Sequence, residues 1–241
     1  MSEKGGEDVQ PQEPSMVRTL VDTPGVEVLG LGLALARHVQ IHKVLANAPR
    51  GQGAPVLVVP GLLTGDSSTV LMRAFLRRLG YQTWGWNGGI HRGDVRNSTL
   101  RMLQRCEEMA DRYGQAVRCV GWSLGGVVLR EVARARPELV DRLITLGTPV
   151  IGGPKFTAFA PFYRRILGWD LDKMERQAAA RNRAPIPVPI TAIYSRWDRV
   201  VDWRACVDRF NDVHHVEVRA THSALAVNPA CLRHVALALQ R

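Results

Sequence analysis

Hydrophobic residues along the chain follow two spacings, one typical of buried strands and one typical of amphipathic helices. Segments of strand length occupy residues 54–61, 81–84, 116–121, 143–146, 189–195 and 215–218. Segments with helical spacing separate them, at residues 69–79, 96–113, 125–136 and 229–240. A continuous apolar run is typical of a strand that is covered on both faces of a parallel sheet. The alternation predicts an α/β domain with a mostly parallel central sheet, flanking helices and right-handed crossovers.

Three stretches depart from this alternation. Residues 1–24 are acidic and contain proline, which predicts a disordered leader before a domain at 25–241. Residues 26–47 are helix-like and form either a helix packed on the domain or an amphipathic element at a membrane or at the site entrance. Residues 150–187 are helix-prone, aromatic and without a strand pattern, so we expect a helical cap or lid over the carboxyl edge of the sheet. The alternative for this last stretch is a helix pair that only shields the sheet edge.

The overall charge is strongly basic, with a net charge of +10 and an isoelectric point of about 10.2. Basic residues are spread evenly and nearly all are arginine, which is more typical of coding bias than of a nucleic-acid-binding face. We therefore expect no nucleic-acid partner, while the charge would allow weak, salt-sensitive association with an anionic membrane surface. The sequence shows no run of 20 apolar residues and no signal-peptide pattern, which predicts a cytoplasmic protein that is at most membrane-peripheral.

Cysteine and histidine residues show no metal-binding pattern. The four cysteines include no CxxC pair, and the seven histidines include no HExxH motif. We interpret the cysteines as reduced thiols and expect neither a metal nor a cofactor.

The residues GWSLGG, at 121–126, join a strand segment to a helical segment. A GxSxG spacing lets a serine occupy a sharp strand-to-helix turn that lifts its hydroxyl clear of the sheet. Gly121 and Gly125 fit because a Cβ at either position would clash with the neighbouring strand or helix. The N-terminus of the following helix would face an oxygen on which negative charge develops. Ser123 is therefore the predicted nucleophile.

Two further residues follow strand segments later in the chain. Asp198 comes just after the strand segment 189–195, and His222 comes just after the segment 215–218. Because an imidazole can accept and return a proton near neutral pH, His222 is the predicted base, with Asp198 as the carboxylate that fixes its tautomer. Asp202 is the alternative acid. If it is not the acid, we expect it to cap a helix that begins at Trp203. Other histidines are expected to be surface or packing residues: His91, His214, His215 and His234.

A tetrahedral intermediate needs two N–H donors. The expected donors are the backbone amide of Leu124, which follows the nucleophile, and the amide of Leu62 in the loop after the first strand. Leu63, Trp86 and Trp122 are candidate walls of the substrate pocket, and each could instead belong to the core.

Four segments follow one another from about Pro49 onward: VLVVPGLLTGDSSTVLMRAFLRRLGYQTWGWNGG, CVGWSLGGVVLREVARARPELVDRLITLGTP, YSRWDRVVDW and THSALAVNP. This ordered set resembles the bacterial lipase and esterase branch of the α/β-hydrolase superfamily. The resemblance implies the α/β-hydrolase fold and a serine carboxylic-ester hydrolase without a cofactor. It also places Ser123, Asp198 and His222 in a catalytic triad. The sequence departs from the family pattern where Pro60-Gly61 stands in place of His-Gly before the oxyanion loop.

The sequence thus predicts hydrolysis of a small lipophilic ester through an acyl-Ser123 intermediate. Thioesterase and acyltransferase activities use the same triad and differ in the leaving group or the acceptor. A catalytically silent binding protein with the same fold is the alternative from another class.

Overall fold

The structure is a computed structural model that describes residues 38–240. The predicted leader and the first part of the helix-like stretch at 26–47 lie outside these residues. Six strands form one sheet in the order β2-β1-β3-β4-β5-β6, and every neighbouring pair is parallel. The strands are β1 (Pro55–Val59), β2 (Gln82–Trp84), β3 (Val117–Trp122), β4 (Val140–Leu146), β5 (Ile190–Tyr194) and β6 (Val213–Glu217). The predicted parallel sheet is confirmed.

Helices cover both faces of the sheet, and the link from β5 to β6 holds a short 3-10 helix (Trp203–Cys206) in place of an α-helix. The α-helices are α1 (His38–Asn47), α2 (Val70–Arg78), α3 (Val95–Tyr113), α4 (Leu124–Ala135), α5 (Ala160–Arg165), α6 (Leu171–Asn182) and α7 (Pro229–Ala238). Local hydrogen bonding and backbone conformation explain where α3 begins and ends. The Asp94 carboxylate accepts the Asn97 N–H at the start of α3, and Gly114 ends that helix with a φ of 64°.

The core has two parts, one on each face of the sheet. Val56 and Val58 of β1 face a cluster that includes α2 and α7, whereas Leu57 and Val59 face a cluster that includes α3 and α4. This division follows from the pleat, because successive side chains of a strand point to opposite faces. Both faces are apolar, which explains why the strand segments are continuous apolar runs.

The described part of the helix-like stretch packs on the domain. Leu45 of α1 is buried in the cluster on the α2 and α7 face, and Ile41 and Val44 pack against the same cluster. Within residues 38–47 the structure therefore supports a helix packed on the body of the domain.

Residues 150–187 contain a short 3-10 helix (Gly153–Phe156) followed by α5 and α6. Tyr163 and Trp169 of this segment pack together and against the loop after β1. Tyr163 is buried, its ring stacks on Trp169 at 5.0 Å, and Leu62 packs on the same cluster.

No helix among residues 38–240 is both long enough and apolar enough to span a bilayer.

Replacing Leu57 with alanine should lower the free energy of unfolding by roughly 2–5 kcal/mol, because a fully buried side chain of the central sheet is removed and leaves a cavity. Leu237 on α7 is 36% exposed, and Leu237→Ala is the matched control, with an expected loss below about 1 kcal/mol. Denaturant unfolding measures both values. Equal losses would contradict the assignment of β1 to the centre of the core.

Candidate active site

Ser123 lies on the sharp turn between β3 and α4, in an unusual backbone conformation. Its φ is 53° and its ψ is −120°, a region that non-glycine residues rarely occupy and that persists only when the surroundings enforce it. Gly121 and Gly125 permit the turn. A Cβ on Gly121 would overlap the backbone of Gly126, and a Cβ on Gly125 would overlap the carbonyl of Val59 at the end of β1.

Hydrogen bonds from the neighbouring strand hold the turn. The Ser123 N–H donates to the Leu146 carbonyl at 2.7 Å, and the Thr148 hydroxyl donates to the Ser123 carbonyl at 3.0 Å. Leu146 is the last residue of β4, and Thr148 belongs to the loop that follows it. The strained turn is therefore connected to the sheet on the side where β5 and β6 also end.

Asp198 and His222 form a buried pair. The distance from His222 Nδ1 to Asp198 Oδ2 is 2.6 Å. The His222 side chain is 7% exposed and the Asp198 side chain is 1% exposed. The other carboxylate oxygen, Oδ1, accepts the N–H groups of Val200 and Val201 at 2.8 Å each. Since the loop fixes one oxygen of Asp198, the other is directed at His222.

The pair lies next to the Ser123 turn. The Trp122 indole N–H donates to the His222 carbonyl at 3.2 Å, and the two rings lie 5.6 Å apart. Gly147, which follows Leu146, approaches both members of the pair, because a Cβ there would lie 3.1 Å from Asp198 Oδ2 and from His222 Nδ1. The structure thus brings Ser123, Asp198 and His222 to one edge of the sheet.

Asp202 has a different place from Asp198. Its Oδ1 accepts the Arg204 N–H at 3.0 Å and caps the short 3-10 helix Trp203–Cys206. The carboxylate that is hydrogen-bonded to His222 Nδ1 is that of Asp198. Asp202 instead has the helix-cap role that the sequence also allowed.

Leu62 and Leu124, whose amides are the predicted oxyanion donors, belong to two segments that adjoin the Ser123 turn. Leu124 is the first residue of α4, where a backbone N–H has no intrahelical acceptor. Leu62 belongs to the loop of residues 60–64, hereafter the β1 loop, and Gly61 of this loop lies against Ser123, since a Cβ on Gly61 would be 3.2 Å from Ser123 Cβ. Leu62, Ser123 and Leu124 line a common cavity.

This cavity has a volume of about 650 Å³ and extends along α4. Leu124, Val127, Glu131 and Ala135 of α4 line it at helical spacing, so the lining follows about 16 Å of that helix, and the cavity is called the channel below. Apolar residues of the β1 loop, α3 and the 150–187 segment also line it: Leu62, Leu100, Leu103, Val150, Tyr163, Trp169 and Met174. Burial raises the pKa of Tyr163 to about 12, with a hydrogen bond to Thr157 opposing the shift, so its hydroxyl is neutral.

Charged residues also line the cavity: Asp94, Arg96, Arg130, Glu131 and Arg181. Arg130 Nη2 pairs with Asp208 Oδ2 at 2.7 Å in the interior, and Arg181 Nε lies 3.5 Å from Glu131 Oε1. Along α4, the lining is thus apolar at Leu124 and Val127 and charged one turn farther from Ser123, at Arg130 and Glu131.

The three residues predicted as pocket walls are not among the described residues that line this cavity. The Leu63 side chain is 68% exposed, so it faces solvent. Trp86 is buried in the core, where its indole N–H donates to the Gly89 carbonyl. Trp122 is buried beside the His222 ring. The direction of each side chain depends on packing that a sequence pattern does not show.

His91 is a packing residue, one of the two places expected for it, but the sequence did not predict its contact with the β1 loop. It is 1% exposed and contacts the β1 loop through its backbone and its ring. Its sequence context, a glycine-rich loop after β2, carried no signal of this contact. The contact arises because β1 and β2 are neighbours in the sheet.

Among residues 38–240, no three His, Cys, Asp or Glu side chains converge in a way that could hold a metal ion.

Known proteins resemble this chain in structure more than in sequence. No family model and no curated protein matches the sequence. A metagenome-derived lipolytic enzyme superposes with a TM-score of 0.61 at 15% identity, over 80% of this chain and 96% of the other. The thioesterase domain from the curacin biosynthetic pathway has a TM-score of 0.54 at 15% identity, over 79% and 93% of the two chains. Polyneuridine aldehyde esterase has a TM-score of 0.54 at 13% identity, over 79% and 100%. These similarities show a shared fold.

Gly147→Ala should disturb the contact between Asp198 and His222. Gly147 has a φ of 55°, and its added Cβ would lie 2.7 Å from Leu225 Cδ1 as well as close to the buried pair. The NMR signal of the His222 Nδ1 proton should therefore shift or broaden. Gly114→Ala is the matched control, because Gly114 has a similar φ of 64° with open space around it. Both variants should lose about 1 kcal/mol from backbone strain. An unchanged His222 signal in Gly147→Ala would contradict the crowding.

Proposed function

We propose that this chain, which has the α/β-hydrolase fold, is a serine hydrolase that cleaves carboxylic esters through an acyl-Ser123 intermediate. The observation that carries the proposal is the buried Asp198–His222 hydrogen bond at the edge of the sheet where the strained Ser123 turn meets a cavity. The similarity in fold to a lipolytic enzyme and to an esterase supports the same chemistry.

In the first step, His222 acts as the general base. Its Nδ1–H donates to Asp198, so Nε2 of the neutral ring is the proton acceptor. Nε2 removes the Ser123 hydroxyl proton as Oγ bonds to the ester carbonyl carbon. Asp198 stabilises the imidazolium that results and keeps its own negative charge.

The carbonyl oxygen becomes negative in this step, and the amide N–H groups of Leu62 and Leu124 donate to it. Such donors stabilise the transition state more than the ground state, which is the requirement for catalysis. The intermediate then collapses, the bond to the alcohol oxygen breaks, and His222 returns its proton to that oxygen. Water, activated by the same histidine, attacks the acyl-serine, releases the carboxylic acid and restores the Ser123 hydroxyl.

The channel along α4 supports an acyl chain of medium length as the substrate group. Arg130, the first charged residue of α4, lies seven residues beyond Ser123, or about 11 Å along the helix axis. An extended chain advances roughly 1.2 Å per bond, so roughly nine bonds fit beside the apolar walls. The 150–187 segment supplies Tyr163, Trp169 and Met174 to those walls, and we propose that it acts as a cap that excludes water.

A thioester substrate is the second candidate, because the fold is also that of the curacin thioesterase domain. The acyl half of the reaction is the same for both candidates, and a thiolate replaces the alkoxide as the leaving group.

Hydrolysis of p-nitrophenyl esters of increasing acyl length tests the proposed function. Turnover should depend on Ser123, with kcat reduced roughly 10⁴-fold or more in Ser123→Ala. The value of kcat/KM should rise to an acyl length of about 8–10 carbons and then fall, because longer chains pass Arg130 and Glu131 and desolvate their charged groups. Parallel assays with acyl thioesters separate the two candidates. Substantial turnover by folded Ser123→Ala would exclude Ser123 as the nucleophile.

Asp198→Asn should reduce kcat by roughly 10³- to 10⁴-fold, because an amide N–H₂ in place of Oδ2 favours the wrong tautomer of His222. Asp202→Asn is the matched control and should change kcat less than about 3-fold, since the Asp202 carboxylate caps a short helix and pairs with Arg204, whereas the carboxylate bonded to His222 Nδ1 is that of Asp198. Steady-state kinetics on the preferred ester measures both. Equal losses, or a larger loss in Asp202→Asn, would move the acid to Asp202.

A further inference from the structure

The β1 loop is connected to His91 on both sides of Leu62. The Leu63 N–H donates to the His91 carbonyl at 2.8 Å, and the His91 N–H donates to the Thr64 carbonyl at 2.9 Å. On the other side of Leu62, His91 Nδ1 lies 3.2 Å from the Pro60 carbonyl oxygen. Three hydrogen bonds to one residue thus bracket the amide that is proposed to contact the oxyanion.

The hydrogen bonds of the two ring nitrogens define the tautomer of His91. A carbonyl oxygen only accepts, so Nδ1 carries the proton and donates to Pro60. Nε2 of the neutral ring then accepts the hydroxyl proton of Ser98, at 3.2 Å. Burial lowers the pKa of His91, with the Pro60 hydrogen bond opposing the shift, which agrees with a neutral ring.

The interior around His91 leaves the ring little freedom. Its ring lies 4.5 Å from the Trp86 ring, and Trp86 is itself held by its hydrogen bond to Gly89. A rigid ring can define the position of the carbonyl it contacts. Because the peptide between Pro60 and Gly61 is planar, a fixed carbonyl also fixes the direction of the Gly61 N–H and the start of the turn that presents Leu62.

The β1 loop contains strained backbone. Leu63 has a φ of 57°, a strained value for a leucine, and its side chain is largely exposed and contributes little packing. We propose that His91 is a positioning residue that holds the β1 loop so that the Leu62 N–H points at the carbonyl oxygen of the substrate. This inference rests on the proposed serine-hydrolase function and assigns His91 no contact with substrate.

Four variants test this role by separating the two ring hydrogen bonds. His91→Leu removes both, whereas His91→Asn keeps a donor close to the position of Nδ1. His91→Gln moves the amide to the position of Nε2, and Ser98→Ala removes only the Nε2 partner. Thermal unfolding of each variant identifies the folded ones, and the Asn and Gln pair preserves polarity if the leucine variant does not fold.

The kinetic readout is the difference between kcat and KM. Deleting an oxyanion donor costs roughly 10²- to 10³-fold, so a displaced donor should lower kcat in His91→Leu and His91→Gln about 10- to 100-fold with little change in KM. Affinity for an alkyl boronic acid, which forms a tetrahedral adduct with the serine, should fall in parallel. His91→Asn should recover most of both losses, and Ser98→Ala should stay within about 3-fold of the wild type.

Hydrogen exchange of the backbone amides at residues 61–64 gives a readout without substrate. Exchange should become about 10-fold faster in His91→Leu and stay near the wild-type rate in His91→Asn. If exchange responds in this way but the wild type hydrolyses no ester or thioester, the proposed function is wrong and the structural role of His91 stands. If the wild type is active and folded His91→Leu and His91→Gln keep its kcat, boronate affinity and exchange rates, the inference is wrong. It is also wrong if His91→Asn loses as much as His91→Leu.

Discussion

The close contact between the N-terminus of α4 and the ends of β1 and β3 is the constraint on which the site depends. Gly121 and Gly125 leave room for that contact, since a Cβ on either would overlap the backbone. The contact forces Ser123 into its strained conformation and places Gly61 of the β1 loop against it. Strain of this kind costs about 1–3 kcal/mol and is maintained by the packed sheet around it. The stability of the sheet therefore supports the geometry of the proposed nucleophile.

The groups around Ser123 are held by loops that follow different strands. The loop after β5 directs one oxygen of Asp198 at His222, while backbone amides hold the other oxygen. The β1 loop lies between two supports, with His91 on its inner side and the aromatic cluster of the 150–187 segment packed on Leu62. A proposed donor and a proposed cap are therefore in contact.

Several expectations remain predictions. The disordered leader at 1–24 lies outside the described residues, and the cytoplasmic location and weak membrane association rest on the sequence. The catalytic roles of Ser123, Asp198 and His222, and of the amides of Leu62 and Leu124, belong to the proposed function, because proteins at 13–15% identity share the fold alone.

The sequence by itself determined the order of strands and helices, the parallel sheet and the placement of Ser123, Asp198 and His222 after strands. These features depend on local periodicity and on glycine spacing, which are visible in a linear chain. Tertiary structure decided which carboxylate meets His222, because Asp198 and Asp202 lie four residues apart and differ only in how their loop folds. It also decided the pocket walls and the position of His91. Contacts between loops of neighbouring strands depend on side-chain direction and sheet order, and neither is encoded in a local pattern.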